Sequence, residues 1–141
     1  MSRYSIGVDF GTLSGRTVLV DISNGEEVAV SVNEYKHGVM DTELPDGTPL
    51  GVDWALQHPQ DYLDVFMYTI PDVMQKASVT ADQIIGVGID FTACTILPVK
   101  ADGTPLCFMN EYCRRPNAWV KLWKHHAAQD EANMLNEVAE R

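Results

Sequence analysis

The sequence predicts an α/β fold, with a mixed sheet that contains an antiparallel meander and is flanked by helices. Three runs near the N-terminus alternate apolar and polar residues and are separated by glycine-containing turns. A helical pattern begins at Pro59, and a nearly continuous apolar run, Ile84–Phe91, follows it. Because strand, helix and strand in this order form a crossover unit, the later strand should lie parallel to an earlier one.

The first predicted strand has two distinct faces. Its apolar face carries Tyr4, Ile6, Val8 and Phe10, and its other face carries Ser5, Gly7 and Asp9. The second strand, residues 16–22, places Val18, Val20 and Ile22 on one face. Asn24-Gly25 is a hairpin signal that leads into a third strand over residues 26–36. The chain therefore should open with a three-stranded meander.

A short polar turn, Gly11-Thr12-Leu13-Ser14-Gly15, joins the first two strands. Its glycines allow backbone N–H groups to form a concave nest, and its hydroxyls add donors, which suits phosphate oxygens. Asp9 at the mouth could hold water on Mg²⁺, and Arg16 adds positive charge. On pattern alone, a plain β-hairpin with a glycine-rich turn is an equally good interpretation.

The next segments are a loop and a helix. Residues 37–57 are rich in glycine and proline, so we expect a long ordered loop that either packs over a site or, as we slightly favour, is a surface excursion. The helix should run from Pro59 to about Lys76. Pro71 predicts a kink or break near Ile70.

The apolar run Ile84–Phe91 predicts a strand buried on both faces. Asp90 ends it, at the edge where open α/β sheets place ligands, so residues 90–95 are a second candidate site. Taken alone, a simple strand end with Asp90 capping a turn is the better interpretation. A further strand is expected at 95–100.

The C-terminal part should be helical. A helix is predicted over about 117–129, with Trp119, Val120 and Trp123 at core spacing, and residues 133–141 belong to another. His125 and His126 are adjacent and cannot share one helix face, so they do not predict a metal site.

Composition narrows the class of protein. The net charge of −10 argues against a nucleic-acid or anionic-membrane partner. The three cysteines match no zinc spacing, which favours reduced thiols in a cytoplasmic protein. We find no apolar signal segment at the N-terminus and no run long enough to span a bilayer.

Several stretches resemble a known family. Residues 6–16, IGVDFGTLSGR, resemble the first phosphate loop of the superfamily of sugar kinases, heat-shock ATPases and actin. Residues 86–95, GVGIDFTACT, are similar to the strand and sugar-contacting loop of the FGGY carbohydrate kinases. Residues 54–62 and 118–126 look closest to the ribulokinase branch of that family. The resemblance covers essentially the whole chain.

The resemblance implies a ribonuclease-H-like fold in which residues 1–141 are the N-terminal part of the first of two domains. It implies ATP-dependent phosphorylation of L-ribulose in L-arabinose catabolism, with ATP and Mg²⁺ as cofactors and a cytoplasmic enzyme that could form a homodimer at full length. The family's catalytic aspartate lies beyond residue 141, so we expect no catalytic residue here and no activity of this chain alone. A nucleotide-gated, actin-like or heat-shock-like binding module is the alternative.

The resemblance also assigns candidate residues. The implied cofactor-binding residues are Asp9, Gly11, Thr12, Ser14, Gly15 and Arg16, with Asp9 also holding Mg²⁺ through water. The implied sugar-binding residues are Thr92, Ala93, Cys94 and Arg114. Ala93 is smaller than its counterpart in many family members and would leave room for a pentulose. The family's Trp-x-Asp-x-Arg stretch is poorly matched by residues 112–116, which leaves the choice between Arg114 and Arg115 open.

Overall fold

The computed structural model describes residues 2–140. The strands and helices, in chain order, are β1 (Tyr4–Phe10), β2 (Ser14–Asp21), β3 (Glu27–Glu34), β4 (Leu56–Gln57), α1 (Pro59–Lys76), β5 (Ile84–Phe91), β6 (Val120–Lys121) and α2 (Gln129–Ala139). They divide into two compact units. The first contains the residues up to Gly38 together with His58–Thr92, and the second contains Val39–Gln57 together with the residues from Ala93 onward.

The first unit contains a mixed sheet with the strand order β3-β2-β1-β5. β1, β2 and β3 form an antiparallel meander, and β5 pairs parallel to β1 after the α1 crossover. Both features confirm the prediction. The turn after β2 contains Gly25 at a φ of 76°, a conformation that glycine adopts without steric cost and that the Asn-Gly pair signals.

One face of this sheet and α1 enclose the first core. Ile6, Val8 and Phe10 of β1 are at most 3% exposed and pack with Val65 and Val73 of α1. The apolar face predicted for β1 is therefore the core face. In β2 the valines lie on the opposite, outer face, and the core side includes the polar residue Thr17. The Thr17 hydroxyl is buried but bonds to the hydroxyl of Thr69 in α1, which offsets the cost of its desolvation.

Helix α1 has the predicted bounds, but it continues without interruption through Pro71. The predicted break is therefore wrong. Pro71 is exposed, so its ring displaces no core side chain, and only one backbone hydrogen bond is lost. Burial of Val65, Thr69 and Val73 before and after the proline keeps both halves of the helix on the sheet.

Strand β5 differs from its prediction. Its composition predicts burial on both faces, yet Ile85, Val87 and Ile89 are 52–55% exposed. Two facts explain this exposure. β5 has a neighbouring strand on one side only, because it is an edge of the sheet. In addition, α1 packs chiefly against β2 and β3 and leaves the β5 side of the sheet largely uncovered.

The second unit has its own small core around the β4–β6 pair. Met40, Leu44 and Leu56 from the first segment pack with Ala118 and Trp119 from the second. Residues 39–57 therefore supply one half of a core, and the interpretation as a surface excursion is wrong. The sequence does not show that these residues are part of a core, because buried residues in a loop have no regular hydrophobic period.

Two further predictions for this unit are wrong. The strand expected at 95–100 is reduced to isolated bridges, Ile96 with Lys121 and Val99 with Pro105. The helix expected at 117–129 is replaced by a short 3₁₀ turn, Pro116–Ala118, and the strand β6. Consecutive burial of residues 118–120 explains this, since one face of a helix cannot bury three residues in succession.

Helix α2 agrees in part with the predicted C-terminal helix, whose last residue, Arg141, lies outside the described residues. All described residues of α2 are exposed. Within residues 2–140, no helix combines the length and apolar character that crossing a membrane would need.

Candidate active site

Asp9 lies near the end of β1 on the outer face of the sheet, opposite the face that α1 covers. Its register partners are Arg16 in β2 and Asp90 in β5. Because partners across a ladder project to the same face, the three side chains form one row across three strands. All three are exposed, so the row presents two carboxylates and one guanidinium to solvent.

The next row of the sheet carries no side chains on β1 and β5. Gly7 and Gly88 are register partners, and together they leave the outer face open beside the charged row. The resulting groove has a volume of about 280 Å³ and is lined by Gly7, Val8, Asp9, Arg16, Val18, Gly88, Ile89 and Asp90. A Cβ added to Gly7 would lie 3.1 Å from a Val18 methyl group, so the floor of the groove depends on this glycine.

The groove has a signal in the sequence, a short motif that occurs twice. Gly7-Val8-Asp9 and Gly88-Ile89-Asp90 have the same Gly-x-Asp spacing. Each copy by itself indicates a separate site, because the two lie far apart in the chain. The parallel pairing of β1 and β5 aligns glycine with glycine and aspartate with aspartate. The repeat becomes informative only when the two strands are known to be neighbours.

The turn between β1 and β2 is closed by its own backbone. The Gly11 N–H donates to the Ser14 carbonyl at 2.9 Å, so this amide is used inside the turn. The Leu13 carbonyl accepts from the Tyr35 N–H at 2.8 Å, which fixes the turn to the end of β3. Thr12 is half-buried at the tip. The turn is therefore held by two backbone hydrogen bonds, and the Gly11 amide is not available to an anion.

Gly15 serves a packing role in the structure. It is buried, and a Cβ at this position would clash with Cγ2 of Val65 and lie 2.8 Å from Cγ1. Helix α1 thus rests directly on the backbone of β2 beneath the turn. Contact of Gly15 with phosphate stays a prediction, whereas its neighbour Arg16 is exposed beside the groove.

A partly buried polar cluster lies at the start of α1. Asp61 is 1% exposed and accepts hydrogen bonds from the backbone N–H of His37 at 3.2 Å and from its Nδ1 at 2.8 Å. The His58 ring stacks on the His37 ring at 3.9 Å. Burial, reinforced by His37, lowers the pKa of His58 to about 4. Burial also raises the pKa of Tyr35, whose hydroxyl lacks a hydrogen-bond partner among the described residues.

The predicted sugar-contacting segment follows β5. The Thr92 N–H donates to the Phe10 carbonyl at 3.2 Å, which extends the β1–β5 ladder by one bond. Ala93 is exposed, and Cys94 is an exposed free thiol with a φ of 61°. A left-handed conformation is uncommon for a residue other than glycine and is frequent at functional sites. None of the cysteines in residues 2–140 forms a disulfide.

Arg114 and Arg115 both make contacts on the surface of the second unit. Arg114 is 81% exposed, and its Nε lies 3.1 Å from Oδ2 of Asp46. The pKa of Asp46 is lowered, first by hydrogen bonds from Thr48 and then by Arg114. The Arg115 guanidinium lies over the Tyr112 ring at 5.2 Å. Assignment of sugar contact to Arg114 stays a prediction.

The charged row suits a metal-bound polyphosphate. Arg16 can attract anionic oxygens, and Asp9 and Asp90 can accept hydrogen bonds from water on a divalent cation. Among residues 2–140, no group of three or more His, Cys, Asp and Glu side chains is arranged to hold a metal. Mg²⁺ commonly needs no such cage, because it binds one or two carboxylates, waters and substrate phosphates. The residues present therefore fit Mg²⁺ that arrives with a nucleotide.

Comparison with known proteins gives matches over almost the whole chain. Residues 4–138 match the profile of the FGGY family of carbohydrate kinases, N-terminal domain. The chain is 56% identical to the ribulokinase of Halalkalibacterium halodurans and 59% identical to that of Shouchella clausii, in each case over 99% of its length. It spans about a quarter of the length of these curated relatives.

Solved structures bear out the predicted fold class. A gluconate kinase from Lactobacillus acidophilus superimposes with a TM-score of 0.72 at 21% identity, over 97% of this chain and 23% of that one. A xylulose kinase from Rhodospirillum rubrum has a TM-score of 0.69 at 18% identity, over 96% and 23% of the respective chains. At such identities the likeness concerns the fold alone. The family match and the curated relatives together show that this chain belongs to the FGGY family of carbohydrate kinases, in the region of the family's N-terminal domain.

Proposed function

We propose that this chain supplies the phosphate-binding part of a kinase that uses ATP to phosphorylate L-ribulose at its terminal hydroxyl, in L-arabinose catabolism. The observation that carries the proposal is the 56–59% identity with ribulokinases over 99% of the chain. The groove beside Asp9 and Arg16 supports it, because it offers an open, charged surface where the family resemblance expects phosphate. A cytoplasmic location and a homodimer of the complete enzyme belong to the same proposal.

The roles of the residues follow from their charges and positions. Phosphoryl transfer depends mostly on positioning and on stabilisation of charge on the transferred group. Arg16 would attract the phosphate oxygens, and the hydroxyls of Thr12 and Ser14 would donate to them. Asp9, with Asp90 beside it, would orient water bound to Mg²⁺. Mg²⁺, when bound, would neutralise part of the charge on the phosphates.

The sugar would bind at the segment that follows β5. Thr92, Ala93 and Cys94 lie there, and the small side chain of Ala93 would leave room for a pentulose. The left-handed backbone at Cys94 would set the direction of this segment. In the family resemblance, the base that accepts the sugar hydroxyl proton comes from a later part of the polypeptide. We therefore propose that the 141-residue chain by itself does not catalyse phosphoryl transfer to the sugar.

The proposal can be tested in a chimera. This chain would replace the matched residues of the Halalkalibacterium halodurans ribulokinase, to which it aligns over 141 residues. ADP release would be measured with L-ribulose, with other pentuloses and without sugar. We expect ADP release that depends on L-ribulose and is strongly reduced by Asp9→Asn.

The control is the unmodified relative, assayed under the same conditions. A chimera that folds but releases ADP at the same rate with and without a pentulose would contradict the proposal. ATP-dependent binding of a protein, with no response to any sugar, would instead favour the nucleotide-gated binding module.

A further inference from the structure

A pocket in the second unit is lined by polar groups that the proposed function does not use. Its volume is about 350 Å³, which is within the range of pockets that hold small molecules. The lining residues with an aromatic ring or a polar side chain are Trp54, Asn117, Lys121, His125 and Glu131. The pocket lies entirely within the second unit, and residues 92–94 do not line it.

The fold builds this pocket from two segments that lie far apart in the sequence. The Leu122 N–H donates to the Ala55 carbonyl at 3.0 Å, and the His126 N–H donates to the Asp53 carbonyl at 2.9 Å. These hydrogen bonds hold the residues on both sides of Trp54 against the second segment. The backbone therefore sets the position of the Trp54 ring in the pocket.

Lys121 is a half-buried cation, and within residues 2–140 it forms no ion pair. Its Nζ donates to the Pro116 carbonyl at 3.2 Å and lies 5.2 Å from the centre of the Trp54 ring. Burial lowers the pKa of Lys121, because desolvation disfavours the charged form. An ammonium group has three N–H donors, and the Pro116 carbonyl uses one of them. Lys121 can therefore donate to a molecule in the pocket.

His125 offers a further donor. Its Nδ1 accepts the Ala55 N–H at 3.2 Å, so in the neutral ring the proton is on Nε2. Burial, reinforced by Lys121 and His126, lowers the pKa of His125, which keeps the ring neutral at pH 7. The ring also meets the Trp54 ring edge to face at a centroid distance of 4.8 Å. The ring is thus held in one orientation, with an Nε2–H that can donate.

The charges at the pocket favour a neutral ligand. Lys121 is positive and Glu131 is negative, so an anion and a cation would each meet one like charge. A hydroxyl group both donates and accepts, so it can accept from Lys121 or His125 and donate to Glu131. The amide of Asn117 can do both, and the Trp54 ring offers an apolar surface to C–H groups. A polyhydroxylated molecule matches this set of groups.

We propose that the pocket beside Trp54 binds a neutral monosaccharide or polyol of pentose size. This site would be additional to the one proposed at residues 92–94 for the sugar that is phosphorylated. The inference goes beyond the proposed function, because binding at this pocket requires neither ATP nor the groove beside Asp9.

The indole N–H signals of the three tryptophans can report binding by NMR. L-arabinose, L-ribulose and ribitol would be titrated separately into the isotope-labelled 141-residue chain, with inorganic phosphate as the charged comparison. We expect at least one neutral ligand to move the Trp54 signal until it saturates, and phosphate to leave that signal in place. The three neutral ligands show whether a pentose, a pentulose or an open-chain polyol is preferred.

Variants connect the signal to the pocket. Trp54→Phe identifies the Trp54 signal by its loss, and Trp119, whose Nε1 donates to the Cys113 carbonyl at 2.9 Å, is the internal reference. Lys121→Met keeps the length of the side chain and removes its donors, so we expect Kd to rise at least about tenfold. Lys100→Met is the matched control, because Lys100 is a half-exposed lysine of the second unit that does not line the pocket.

A spectrum of the isolated chain without dispersed signals would move the same titrations to the ribulokinase chimera. There, fluorotryptophan labels would be followed by fluorine NMR, with Trp54→Phe again identifying the signal.

Three results would overturn the proposal. The Trp54 signal would stay in place with all three neutral ligands, or phosphate would move it instead, or Lys121→Met would bind as tightly as the unmodified chain. Because none of these readouts involves phosphoryl transfer, failure here is distinct from failure of the proposed kinase activity.

Discussion

Thr12 offers the most direct test of the proposal that the β1–β2 turn binds phosphate. It is half-buried at the tip of the β1–β2 turn, and Thr12→Val would keep its shape while removing the hydroxyl. A hydrogen bond to a charged group contributes about 1.5–3 kcal/mol, so we expect the KM of the chimera for ATP to rise roughly 10- to 100-fold. Steady-state kinetics over a range of ATP concentrations would measure this.

Thr12→Ser is the matched control for that experiment. It retains a hydroxyl at the same position, and ATP kinetics should stay close to those of the unmodified chimera. If Thr12→Val leaves both KM and kcat for ATP unchanged, the turn does not contact phosphate through this side chain.

For Gly15 we predict an effect on the stability of the chain. Gly15→Ala would force its methyl group against Val65, which is fully buried. Overpacking of this kind costs about 1–3 kcal/mol, and urea unfolding of the chain would measure the loss. Gly15→Ala combined with Val65→Ala should cost less than the sum of the single changes, because the second change makes room. Strictly additive losses would show that the two residues are not in contact.

At the scale of one element, the start of α1 should make stability depend on pH. The side chain of His58 caps this helix by accepting the Gln60 N–H at 3.1 Å. Burial, with a contribution from His37 and a smaller one from Lys36, lowers the pKa of His58 from 6.5 to about 4, while Asp61 and Asp64 act in the opposite direction. Between these pH values, the unfolded chain binds a proton at His58 that the folded chain excludes.

The sign follows from that difference in protons. The contribution of His58 to the free energy of unfolding is largest above pH 6.5, and it decreases as the pH falls toward 4. His58→Asn keeps a capping acceptor and removes the titrating group. Urea unfolding at pH 7 and pH 5 should therefore show a smaller loss in His58→Asn than in the unmodified chain. His126→Asn, which changes a histidine outside this cluster, should behave like the unmodified chain.

Elements also show where local patterns mislead. Residues 117–129 have apolar residues at helical spacing in the sequence. In the structure, however, Pro116–Ala118 forms a 3₁₀ turn and Trp119 packs in the core of the second unit. The break predicted at Pro71 failed for a related reason. Burial on both sides of the proline outweighs one lost hydrogen bond in an exposed turn of α1. Tertiary packing overrode the local signal in both cases.

At the scale of the whole molecule, we expect the isolated 141-residue chain to lack kinase activity. It spans a quarter of the length of its curated relatives, and the base for the sugar hydroxyl is expected elsewhere. A coupled assay of ADP release with ATP, Mg²⁺ and L-ribulose would measure turnover. A rate above that of an enzyme-free blank would contradict the prediction, and the active chimera serves as the positive control.

The sequence by itself determined the meander, the bounds of α1, the parallel pairing of β5 with an earlier strand and the family. These features rest on local periods, on turn residues such as Asn24-Gly25, and on the contiguous motif around Asp9. Only the tertiary structure decided that Asp90 lies beside Asp9, that Gly7 and Gly88 leave a groove, and that Gly15 is required by Val65. The reason is physical: a period records which face a residue occupies, whereas contact between distant segments depends on strand order and register.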